Sequence, residues 1–183
     1  MKPAFPKSRM FAVSFYPTAA EYLFKPSFAD LRNKKYVFET DFIGFCKADM
    51  HDFSAFYDKT CITITRLMNK NIDQRRLSLF ELINQNNGEI KVEAMATAIG
   101  WTARSINRYF SKWLGITLKT YIDIIKFSNA LKQLKSGTFY PELDYADQSH
   151  FIKTVKKFSG SKPTVLVWNK NDRFIQLTFM DLS

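Results

Sequence analysis

Arg104, Asn107, Arg108 and Lys112 lie between Trp101 and Gly115, the last three at offsets of 3, 4 and 8 from the first. On a helix that spacing puts them on one face. Arg suits the acceptor edge of guanine and Asn the edge of adenine, so such a face has the chemistry to read a DNA major groove. The elements that must position it are legible on either side. Ile106, Tyr109, Phe110 and Trp113 form an apolar stripe on the same segment, and Val92, Met95, Ala96 and Ile99 repeat the pattern just before it. Gly100 supplies the positive φ of a tight turn between the two, and Thr102 can accept from the open N–H groups of the next first turn. Residues 92–115 therefore read as helix, turn and helix. A surface helical hairpin with a solvated basic face has the same pattern, and this segment alone does not separate the two.

The totals narrow the class. With 183 residues there is room for one large domain or two small ones, and 46% hydrophobic content with 18 Phe and 8 Tyr predicts a packed core. The net charge is +10, and residues 102–170 hold 12 Lys/Arg against 4 Asp/Glu, a surplus of +8. That points to a polyanion, with nucleic acid ahead of a membrane surface. Cys46 and Cys61 show no CxxC spacing, which argues against a disulfide scaffold or zinc finger; both read as core residues. His51 and His150 are the only histidines, without an HExxH or GxSxG pattern, so no catalytic residue, metal or cofactor is expected and the chain does not read as an enzyme. His150, beside Phe151, reads as a packed or capping residue. No apolar run reaches about 18 residues, so no membrane partner is expected. The N-terminus has no secretory pattern, and a reducing cytoplasm is the expected compartment.

In chain order, Phe11, Val13 and Phe15 alternate with smaller residues and predict a strand over Arg9–Tyr16, then a short helix over Thr18–Phe24. Residues 30–35 read as a turn or short helix and 36–38 as an extended piece. From Asp49 to Met68 the period is helical, with Phe53, Phe56, Tyr57, Thr60, Ile64 and Leu67 on one face, although Cys61-Ile-Thr-Ile-Thr has β character. Residues 69–72 form a break and the expected domain boundary. Asp73 caps a helix through Ile83, with Leu77, Phe80 and Ile83 buried, and 84–88 is a polar turn. Leu118 to Lys135 is a helix of about 27 Å, apolar around most of its circumference, which must be covered on more than one side. Beyond it, Phe151–Gly160 lies on Ile106–Gly115 at a shift of 45: Lys157 falls on Lys112, Gly160 on Gly115, Phe158 on Trp113 and Lys153 on Arg108. The echo predicts a second helix-turn-helix on the same rod, which is of the right order to hold two recognition helices about 34 Å apart, one turn of B-DNA. The fold class expected is mainly α: two helix-turn-helix subdomains joined by a long linker helix, with a small partial α+β N-terminal segment. The divisions are 1–70, then 71–168 (first unit about 74–115, linker helix 118–135, second unit about 138–166), then a tail, 169–183.

VEAMATAIGWTARSINRYFSKWLGITLKTY and YADQSHFIKTVKKFSGSKP carry a resemblance to the AraC/XylS-type transcription regulators. It covers residues from about 73 to 166, and DQSHF followed by Lys/Phe and Gly-x-x-Pro is the more diagnostic half. The tail NKNDRFIQ resembles a Bacteroidetes-type subgroup. The resemblance implies sequence-specific promoter binding to double-stranded DNA, with RNA polymerase and a second copy of the chain as further partners. It carries base reading onto Arg104, Asn107 and Arg108 in the first unit, and onto Asp147, Gln148 and Lys153 in the second. Beside them Lys112 has room to face outward, Ser149 can donate to a phosphate, and Lys156, Lys157 and Lys162 read as non-specific phosphate contacts. A helix-turn-helix-shaped interaction module without specific DNA binding is the alternative. Two departures stand out. Pro141 falls where the second unit's supporting helix should run, and Asp144 stands in place of its turn glycine, so a short or irregular helix is expected there. Residues 1–70 are also too few for the family's full N-terminal sensing domain.

Overall fold

The computed structural model describes residues 11–24, 27–31, 44–68, 72–135 and 148–167. The helices are α1 (Pro17–Leu23), α2 (Phe53–Leu67), α3 (Gln74–Gln85), α4 (Val92–Ile99), α5 (Ala103–Tyr109), α6 (Leu118–Lys135), α7 (Gln148–Ser159) and α8 (Pro163–Val167). A 3-10 turn, Lys47–Met50, precedes α2, and α5 runs on into a π-helical turn, Phe110–Leu114. Among the described residues there is no strand, and no helix is long and apolar enough to cross a membrane.

The fold is mainly helical, as its apolar periods require, but the α+β character expected at the N-terminus is absent from what is described. Phe11–Tyr16 is irregular. Its alternation reports rings used one at a time: Phe11 meets Phe53 and Phe56, and Phe15 meets Phe24. A strand needs a neighbour to pair its N–H and C=O groups, and these aromatic contacts provide none. The extended piece at 36–38 lies outside the described residues.

The helical reading of Cys61-Ile-Thr-Ile-Thr holds in α2, where Thr60 and Thr65 return their hydroxyls to the carbonyls of Phe56 and Cys61. The buried face is narrower than the sequence predicts. Phe56, Thr60 and Thr63 are buried, whereas Phe53 and Tyr57 are 60% and 58% exposed. Cys46 and Cys61 are also exposed, so the core reading fails for both thiols.

Two cores share α6. The first gathers Leu79, Phe80 and Ile83 of α3, Met95, Ala96 and Ile99 of α4, and Ile106 and Phe110, closed by Leu118 and Tyr121. The second gathers Phe127, Ala130, Leu131 and Leu134 with Phe151 and Val155 of α7 and Leu166 of α8. The rod lends its first half to one core and its second half to the other, which is why its apolar residues fit no single stripe. The supporting segment of the second unit, with Pro141 and Asp144, lies outside the described residues.

Candidate nucleic-acid interface

Local chemistry sets the first recognition helix. Gly100 takes φ 67° at the end of α4. Thr102 caps α5, its hydroxyl accepting from the N–H of Ser105 at 3.1 Å. Ile106 and Phe110 are fully buried, so the opposite side of the helix is turned outward. Arg104, Asn107, Arg108 and Lys112 are all exposed there. Asn107 is partly engaged, since its amide donates back to the Ala103 carbonyl at 2.9 Å.

Arg108 and Lys112 share an open cleft of about 1270 Å³ with Arg75, Trp101, Thr102 and Ser105. Arg75 sits 5.6 Å over the Trp101 ring and pairs with Asp73 at 2.9 Å. That guanidinium holds the Asp73 carboxyl below its usual range. Arg75, Arg76, Arg108 and Lys112 thus outnumber the lining carboxylates Glu21 and Asp30, and Trp101, Tyr109 and Trp113 line the cleft beside them, a combination suited to a polyanion. Glu21, Ser27 and Asp30 form its other wall. The sequence reading missed both walls. The Arg75-Arg76 pair at the start of α3 is a signal that could have pointed to the first; nothing local marks the second.

In the second unit Gln148, Ser149 and Lys153 are exposed on α7, while Phe151, Thr154 and Val155 are buried. Lys156 and Lys157 extend the outward face. Lys157 is not wholly available: its Nζ lies 3.4 Å from the Asp123 carboxylate on the rod and 4.8 Å over the Phe158 ring. His150 is exposed rather than packed in the core. Asp147 lies outside the described residues. Both sets of outward residues thus stand on helices whose inner faces join α6.

Residues 95–167 match the family model described as "Helix-turn-helix domain". No curated protein and no solved structure matches the chain. The matched span opens within α4 and closes with α8, so it takes in both outward faces and the rod between them. Over these residues, which make up less than half of its length, the chain is similar to a helix-turn-helix domain, in line with the resemblance to the AraC/XylS-type regulators.

Proposed function

We propose that the chain regulates transcription by binding duplex DNA sequence-specifically, with α5 and α7 entering successive major-groove segments. The observation that carries this reading is the pairing of faces: Arg104, Arg108 and Lys112 on one helix, Gln148 and Lys153 on another, each backed by a core built on α6. Arg108 and Gln148 read base edges, and the lysines and Ser149 engage phosphates, which position without specifying. The activity is binding alone, with no bond made or broken, and the reading places it in the cytoplasm. RNA polymerase and a second copy of the chain are the partners it would then meet on DNA.

Selection of bound sequences from a random duplex pool tests the proposal and yields its site. Arg108→Ala should then weaken binding by about 1–3 kcal/mol and relax preference at one base pair. An unchanged footprint and affinity would count against it.

A second reading has its own support. Asn107 is turned back onto its helix and Lys157 is paired with Asp123. Two of the nominated contacts are thus already engaged, as in a helix-turn-helix-shaped interaction module without a DNA site of its own. A salt titration separates the two. A specific regulator keeps a large gap over random DNA at physiological salt, whereas a module shows only weak, steeply salt-dependent binding.

A further inference from the structure

The described residues from 17 to 31, all outside the matched domain, grip the first recognition helix at two places one turn apart. Glu21 of α1 pairs with Arg76 of α3 and accepts from the Tyr109 hydroxyl at 2.5 Å, while the Arg76 guanidinium stands 5.3 Å over the same ring. Burial, and then the Glu21 carboxylate, push the Tyr109 hydroxyl far above its ordinary range, so it stays a donor. Next to Glu21, the Tyr22 hydroxyl accepts from the Asp73 N–H at 2.8 Å and so ties α1 to the cap of α3. Further along, the Phe28 ring lies 5.6 Å from Trp113, and the Ala29 N–H donates to the Trp113 carbonyl at 3.0 Å.

Tyr109 and Trp113 are the chain neighbours of Arg108 and Lys112, the two candidate contacts that line the cleft. Holding a helix at residues i and i+4 fixes its roll. About 10° of roll moves a point at the ~6 Å outer radius of a helix by about 1 Å. Base-edge hydrogen bonds tolerate only about half an ångström of donor–acceptor distance. We infer that Glu21 is a positioning residue for DNA recognition, setting through Tyr109 the roll at which Arg108 and Lys112 meet the duplex. Phe28 and Ala29 act in the same way on the following turn. The DNA-reading unit then begins with this N-terminal strap. The inference rests on the DNA-binding reading above.

The test uses the full chain and the duplex selected from the random pool, beside a scrambled duplex of equal length. Tyr109→Phe removes one hydroxyl and leaves the ring. It should lower affinity for the selected duplex roughly threefold to tenfold, with affinity for the scrambled duplex unchanged. Glu21→Ala should do at least as much. The double variant should be no worse than Glu21→Ala alone, because both changes remove one bond. Glu21→Gln, whose amide oxygen still accepts from Tyr109, should keep more of the preference than Glu21→Ala. A loss of fold alone would lower both affinities together and would not be rescued by Gln. An unchanged ratio of the two affinities in folded Tyr109→Phe, with Arg108→Ala impaired, overturns the inference, as do multiplying losses in the double variant. Should Glu21→Ala not fold, Tyr109→Phe and Glu21→Gln decide alone. If Arg108→Ala is also without effect, the DNA-binding reading falls and the inference falls with it.

Discussion

The two recognition helices are alike in sequence and differ in what holds them. Gly115 and Gly160 occupy matching places, with φ 68° and 73°. A Cβ on Gly115 would come within 2.7 Å of the Ala29 Cα, whereas nothing lies within 4 Å of the same position on Gly160. Trp113 is clasped by Phe28 of the N-terminal strap. Its counterpart Phe158 stacks 5.4 Å from Phe127 of the rod. The first helix is thus gripped by a segment outside the repeated motif, and the second leans on α6 and α8. A repeat in sequence specifies a helix and its inner face; it does not specify what covers the ends.

The largest expected break of this contrast comes from the glycines. Gly115→Ala combines a left-handed backbone with an overlap on strap backbone and should cost about 2–4 kcal/mol. Gly160→Ala meets only the backbone strain and should cost about 1–2 kcal/mol. Urea unfolding of the two variants checks this, and equal losses would erase the distinction between a covered and an open end.

Acid should loosen the first side before the second. Lys59 and the Cys46 N–H hold the Asp49 carboxyl down at about 2, and Arg75 lowers that of Asp73. Both folded values lie below the unfolded value near 3.8. The stability they contribute is present above that pH and is lost as pH falls toward 2. Residues 148–167 contain no Asp or Glu. Hydrogen exchange between pH 5 and 2.5, corrected for intrinsic rates, should show protection falling over 44–85 ahead of 148–159. Parallel loss would contradict the assignment.

The smallest effect concerns the rod. Asp123→Asn removes an exposed pair worth no more than about 1 kcal/mol of stability. It frees Lys157, so affinity for random duplex should rise about twofold with a steeper salt dependence. Fluorescence anisotropy across a salt series reads both. No change would mean that Lys157 faces away from the phosphates.

Much of the frame was legible because it rests on local rules. The period of Leu118–Lys135 announced a helix covered on several sides, and Thr102 and Asp73 sit at the caps their side chains suit. The outward placement of Arg104, Arg108 and Lys112 followed from the burial of Ile106 and Phe110. The strap was not legible. Glu21 reaches Tyr109 across 88 positions, through one bond with no periodic trace. The alternation at Phe11–Phe15 misled because a period of two describes side chains and not pairing partners. In α2, hydrophobicity nominated Phe53 and Tyr57 for a face that geometry gives to Phe56, Thr60 and Thr63.

The wide turn at Phe110–Leu114 has a consequence for how the two units are aimed. A π turn holds one residue more than an α turn. Wound regularly, the same residues would carry everything after them about 100° further round the axis. The bearing of the rod, and of the whole distal half carried on it, is therefore set by a single residue of slack. Excising Ser111, which is exposed and adds nothing to the core, would take up that slack. The distal helix would swing to another azimuth, and Leu118 and Tyr121, which close the first core from the rod, would have to repack.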